Sequence, residues 1–298
     1  MTSILIGQLA AISTAACWAI TSTAFEKAGK KIGSLNLNLI RLLIALIFSS
    51  IFTMITRGMP LPVDATASMW IWLSLSGLIG MFIGDLLLLE AFVKIGARIS
   101  MLIYASVPVY SAILAYLFLN EKMTILQIAG MILTIFGIAL VLLDGDSENK
   151  KMKLAHPVAG ILFAFGGAVA QSIGYVIGKK GMGDYNAFAA TQIRLIAGIA
   201  GFVIFFILAK QWKSFFKSFK QKDAIKPALI GSFFGPFLGV SLSLFAVQRI
   251  NPGVASTLMS ITPVLLILYA IIFKGEKIKL KEIIGAVISF GGVAMIFM

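Results

Sequence analysis

The sequence holds one cysteine, Cys17, and one histidine, His156, in 298 residues. A lone cysteine excludes an intrachain disulfide and any CxxC pair, and with one histidine there is no all-protein Cys/His metal cluster to build. Other chemical signatures are missing as well. The run Gly174-Tyr-Val-Ile-Gly178-Lys179-Lys180 lacks the spacing of a phosphate-cradling loop, so ATP hydrolysis is set aside. Neither G-x-S-x-G nor H-E-x-x-H occurs, which removes serine hydrolases and zinc proteases. No catalytic residue, metal or cofactor is assigned, and the chain is not expected to be an enzyme.

Charge is scarce too. Only 12% of residues are charged while 59% are hydrophobic, with a mean hydropathy of +1.00. A soluble domain carries about 25% and roughly 45–50%. This chain lacks the polar side chains to cover itself in water, and the bilayer is its natural solvent. A span needs about 20 apolar residues. Ten such runs are predicted: 4–26, 35–56, 69–92, 99–119, 125–143, 156–178, 187–209, 227–248, 253–273 and 281–298. They are long and continuous, without the alternation of a membrane barrel. The first has no basic leader, which predicts a retained helix. An all-α membrane protein of ten transmembrane helices follows.

Most of the chain is written twice. A shift of 155 residues lays 98–143 on 253–298 without a gap, matching Pro108 with Pro263, Glu121-Lys122 with Glu276-Lys277, and Gly130 and Gly137 with Gly285 and Gly292. A shift of 153 lays Gly7–Leu46 on Gly160–Ile199 and superposes Ile40-Arg41-Leu42 on Ile193-Arg194-Leu195. A repeat of this length decides the architecture. It predicts one unit over 1–143, a polar linker over 144–155 and a second unit over 156–298. Five spans followed by five more must invert the second unit, the build of many secondary carriers, whose site lies near the midplane.

A net charge of +13 would suggest nucleic acid in a soluble protein. Here the loops decide otherwise. Counted over alternate loops, 18 Lys and Arg fall on one side and 5 on the other. The positive-inside rule makes the rich side cytoplasmic, with both termini outside. On that side Trp212, Phe215, Phe216 and Phe219 recur at helical spacing between lysines, which predicts an amphipathic helix over 210–226 in the headgroup layer.

Few polar residues are left for a site. Arg41 and Arg194 lie six or seven residues inside their helices, roughly 9–10 Å deep. A charge at that depth finds a partner or water, so these arginines snorkel, form structural salt bridges, or brace the two ends of the protein. Asp85 lies at a similar depth, which brings it, or the Glu276 turn, within reach of Arg41; inverted symmetry sets Arg194 beside the Glu121 turn. Asp85 is also the acid through which a proton could couple. Glu90 has a bland place at the interface. Gly80, Gly84, Gly235 and Gly239 read as close-packing positions. Pro108 and Pro263 predict bends in the fourth and ninth spans. Trp18 sits mid-span, either packing or lining a cavity, and its repeat equivalent is Gln171. With Tyr104 and Tyr175 these residues form the expected substrate site, suited to a small, partly apolar, uncharged, zwitterionic or cationic solute.

Two five-span units, each with a mid-helix proline in the fourth span, an acidic-basic turn (Asn120-Glu121-Lys122 and Gly275-Glu276-Lys277) and a glycine-spaced fifth span, resemble the EamA-type drug/metabolite transporters. The resemblance covers nearly the whole chain. It implies a central cavity among spans 1, 3, 4, 6, 8 and 9, with spans 5 and 10 in support. It also implies transport of an amino acid, amine or similar metabolite by alternating access across a bacterial or archaeal cell membrane, as a monomer or homodimer, with export the expected direction and import the alternative. The competing reading is a lipid-handling or non-transporting structural membrane protein.

Overall fold

The computed structural model of the chain describes residues 3–119, 124–145, 152–154, 156–250, 255, 258–275 and 278–296. Those residues are almost all helical. The first unit comprises α1 (Ser3–Ile32), α2 (Ser34–Arg57), α3 (Ala67–Gly77), α4 (Asp85–Ile95), α5 (Ala97–Tyr104), α6 (Val107–Leu119) and α7 (Ile125–Leu142). The second comprises α8 (Val158–Met182), α9 (Ala187–Leu208), α10 (Trp212–Ser218), α11 (Lys222–Ser232), α12 (Val240–Val247), α13 (Thr262–Lys274) and α14 (Leu280–Ile296). Between the units, β1 (Leu143–Gly145) and β2 (Met152–Leu154) form an antiparallel clip, with Leu143 opposite Leu154, where the sequence suggests only a polar linker.

Among the described residues, five helices are long and apolar enough to cross a membrane: Ser3–Ile32, Ser34–Arg57, Val158–Met182, Ala187–Leu208 and Lys222–Ala246. Their outer faces carry exposed Ile47, Ile55, Ile204 and Leu208, a surface suited to lipid tails. Hairpins between helices are tight. Gly33, at φ 80°, turns α1 into α2 across one residue, a conformation a side chain would strain.

Helices of the two units pair in symmetry-related ways, α1 with the α11–α12 rod as α8 with the α3–α4 rod, and α2 and α7 with their own equivalents; these pairs run antiparallel. The start of α1 at Gly7 meets the end of the α11–α12 rod at Arg249 and Ile250, while the start of α8 at Gly160 meets Lys94 and Ile95 at the end of α4. Leu42 of α2 meets Gly198 of α9, and further along the same pair Thr53 meets Gln192. The repeat glycines meet in α7 and α14. A Cβ on Gly137 would stand 2.6 Å from the Gly285 carbonyl oxygen, and one on Gly292 would stand 2.6 Å from that of Gly130. Backbones in such contact admit only glycine there.

Two features differ from the sequence reading. The segments Leu78–Gly84 and Phe233–Gly239, 155 residues apart, are π-helical and join α3 to α4 and α11 to α12. The glycines read as packing positions thus sit in widened turns. The fourth span is also broken rather than bent: α5 stops at Tyr104, and Pro108 lies in the first turn of α6, where its missing N–H is harmless. Pro263 holds the same place in α13.

The predicted amphipathic helix is the short α10. Its aromatic stripe divides: Trp212 and Phe215 pack on Phe206, whereas Phe216 and Phe219 stay exposed. The loops gather at two ends. Lys31 pairs with Asp223 at 3.1 Å and Arg98 with Glu282 at 3.1 Å, joining loops that the charge count puts on the basic side. At the other end Arg57 pairs with Asp64 at 2.5 Å, the Tyr185 hydroxyl donates to Asp64 at 2.7 Å, and Gln248 donates to the Tyr185 carbonyl.

Candidate functional site

Arg41 is a buried charge with three side-chain hydrogen bonds. It is 1% exposed, and its Nη2 lies 2.5 Å from the Asp85 carboxylate. Its Nε donates to Asn38 Oδ1 at 2.9 Å, and Nη2 also reaches the Met81 carbonyl, in the π-helical turn, at 3.5 Å. Asn38 donates in turn to the backbone carbonyls of Ser34 and Asp85. The Phe25 ring, 5.7 Å away, covers the guanidinium. The pair thus ties α2 to the point where the widened turn becomes α4. Of the two partners the sequence allows, the structure brings Asp85; Glu276 and Glu121, named for the two arginines, lie outside the described residues.

Arg194, also 1% exposed, points toward the first unit. Its guanidinium carbon is 5.9 Å from the Tyr175 ring centroid. A Cβ on Gly80 would meet Arg194 Nη2 at 3.3 Å and Gln171 Oε1 at 3.2 Å, so both groups converge over a glycine that leaves them room. Tyr104, at the end of α5, is within electrostatic reach of Asp85, Tyr175, Arg41 and Arg194. Alongside, the hydroxyls of Ser111 and Ser172 are 2.9 Å apart.

Most of the expected site residues therefore gather in one polar knot between the two units: Asp85, Arg41, Tyr104, Gln171, Tyr175 and Arg194. Trp18 is half-buried in the apolar cluster that also receives Tyr104. Pro108 and Pro263 stand off this knot, at the breaks in their helices. Glu90 accepts from Ser34 and pairs with Lys94, as befits a surface acid. Sequence reasoning missed Asn38, whose signal was its position three residues before Arg41 on one helical face. It also missed Glu26, which accepts from the backbone N–H of Ala97 at 3.0 Å and so serves the start of α5.

Paired apolar helical units enclosing a polar knot define a multi-pass membrane protein of the solute-carrying kind. The chain belongs to the EamA-like transporter family, which matches at residues 5–143 and again at 158–298. Members of that family are membrane transporters, as a class not enzymes. An uncharacterized transporter of Clostridium kluyveri is 24% identical over 216 residues, spanning 72% of this chain and 68% of its own. Uncharacterized transporter YyaM of Bacillus subtilis is 25% identical over 62% of this chain and 59% of its own. A probable terminal-alkyne amino-acid exporter of Streptantibioticus cattleyicolor is 25% identical over 75% of this chain and 72% of its own. A protein of known crystal structure superposes with a TM-score of 0.66 at 16% identity, covering 98% of this chain and 95% of the other; that likeness concerns fold alone.

Proposed function

We propose that the protein is a secondary transporter that exports a small organic solute, of the amino acid or amine class, across the cell membrane. Ten spans form two inverted five-helix repeats, 1–143 and 156–298, with the charge-rich loops in the cytoplasm. The observation that carries the reading is the convergence of Gln171 and Arg194 on the widened turn at Gly80 of the other repeat, with the Tyr175 ring beside Arg194 and Tyr104 within electrostatic reach of both Tyr175 and Arg194. Polar groups of this kind are costly beside lipid and are kept where they line a solute path. Trp18 supplies an apolar wall. The Streptantibioticus relative, named a probable amino-acid exporter, supports the direction and the solute class.

Alternation is a rocking of one repeat against the other, with the breaks before Pro108 and Pro263 and the two π-helical turns as the places that give. Uphill transport draws on an ion gradient. Asp85 is the acid that would take a proton, and Arg41 holds it in this conformation, so loading requires the pair to part.

Flux of amino acids and amines from proteoliposomes, with and without an imposed pH gradient, tests the reading. Wild type should move at least one of them faster than protein-free vesicles. Asp85→Asn should lose gradient-driven accumulation and keep downhill exchange. Full accumulation by the variant removes Asp85 from the coupling, and no flux of any solute contradicts the transport reading.

A further inference from the structure

Arg41 and Arg194 hold equivalent places in the two repeats, yet their surroundings are opposite. Arg41 spends its donors on Asn38, Asp85 and the Met81 carbonyl. The repeat equivalents of Asn38 and Asp85 are Thr191 and Val240, so the second unit retains the arginine and neither partner. Thr191 is itself engaged, donating to the Ala187 carbonyl and accepting from Ser241. Nε and Nη1 of Arg194 have no hydrogen-bond partner. The side chain is nonetheless 1% exposed and turned to the knot, over Gly80 beside Gln171 and Tyr175. Among the described residues the buried charged side chains are Arg41, Arg194 and Asp85, which leaves one positive charge unanswered. A buried guanidinium with free donors is costly unless an anion meets it.

We propose that Arg194 is the docking point for the carboxylate of the transported solute, so that the substrates are small monocarboxylates, amino acids included. This rests on the carrier reading above and narrows it. A guanidinium fork matches one carboxylate through two parallel bonds. The Tyr104 and Tyr175 hydroxyls lie in the same neighbourhood as further donors, and the ring faces and Trp18 accept an apolar remainder. One unanswered charge takes one carboxylate; a dicarboxylate would bring a second charge with no further unpaired buried cation among the described residues to receive it. Amines without a carboxylate, allowed by the sequence alone, drop out.

Melting of the purified full-length protein tests this without knowledge of the natural solute. The probes are sodium benzoate and L-phenylalanine. Benzamide and L-phenylalaninamide serve as carboxylate-free controls, with sodium chloride at matched ionic strength. A ligand that binds only the folded state raises the melting point. Wild type should melt about 3 °C or more higher with at least one acid and stay unmoved by the amides. A rise with both acids marks a monocarboxylate site; a rise with phenylalanine alone marks one that also needs the ammonium. Arg194→Gln should lose the rise, and Arg194→Lys should keep a smaller one. Without ligand, Arg194→Gln should lose far less than Arg41→Gln, since Nε and Nη1 of the guanidinium it removes have no hydrogen bond to lose. Equal rises with acids and amides, or the same rise in Arg194→Gln, would overturn the carboxylate site and leave the carrier reading standing. No rise with either acid, or a ligand-free drop as large as that of Arg41→Gln, would overturn it as well; the carrier reading answers separately to flux.

Discussion

Arg41 and Asp85 face each other at 2.5 Å between α2 and α4, both nearly sealed from solvent. Removing one partner of such a pair leaves the other charge buried alone, at a cost of about 3–5 kcal/mol. Arg41→Gln and Asp85→Asn should therefore each lower the melting temperature sharply. The double variant should lose much less than the two losses added, because neither charge is then stranded. Melting curves of the four proteins check this, and strictly additive losses would mean that the pair does not act as a unit.

The glycines of α7 and α14 allow a sharper contrast. Gly137→Ala and Gly292→Ala would drive a methyl group into the facing backbone, an overpacking that costs about 1–3 kcal/mol. Gly291, next to Gly292, has nothing within 4 Å of where its Cβ would be. Gly291→Ala should be neutral or slightly stabilising, by up to about 1 kcal/mol. Equal effects at 291 and 292 would show that these helices do not meet face to face as described.

Beyond the membrane, Asp64 and Tyr185 staple the loop after α2 to the loop after α8, and the staple depends on pH. The Tyr185 hydroxyl bond, with Arg57 beside it, holds the Asp64 carboxyl below its usual range. Burial, and then the bond to Asp64, push the Tyr185 hydroxyl up to about 12. A carboxyl lowered by folding contributes stability above its ordinary pKa of about 4, lost as pH falls through the folded value. A phenol raised by folding contributes fully below about 10, and the contribution is lost as pH rises from there toward about 12. Hydrogen exchange at 58–66 should thus be slow and level between about pH 5 and 9, after correction for the intrinsic rate, and faster outside. Tyr185→Phe should raise the plateau rate; an unchanged rate would dismiss the staple.

Much of the fold was legible because a bilayer makes long apolar runs and glycine-spaced helices unambiguous, and because the duplication repeats its punctuation at Pro108 and Pro263. The matched glycines signalled a repeat, although only the packed helices explain them: Gly137 and Gly285 recur because they touch. The depth of Arg41 and Asp85 was readable from their positions along the helices, and so was their possible meeting. The π-helical turns were not, since one widened turn leaves almost no trace in hydrophobic period. Nor was the direction of Arg194. Inverted symmetry sets it beside the Glu121 turn, whereas the glycine at 80 leaves a space in the first unit that a long side chain fills.

The central claim is that the knot around Tyr175 lies on a path open in turn to each side of the membrane. Tyr175→Cys in a Cys17→Ser background tests it with a membrane-impermeant maleimide, applied to right-side-out and to inside-out vesicles. Alternating access predicts labelling from both sides, with a comparable final extent. Labelling from neither side, in protein that still melts cooperatively, would make the knot a sealed structural core and contradict the account.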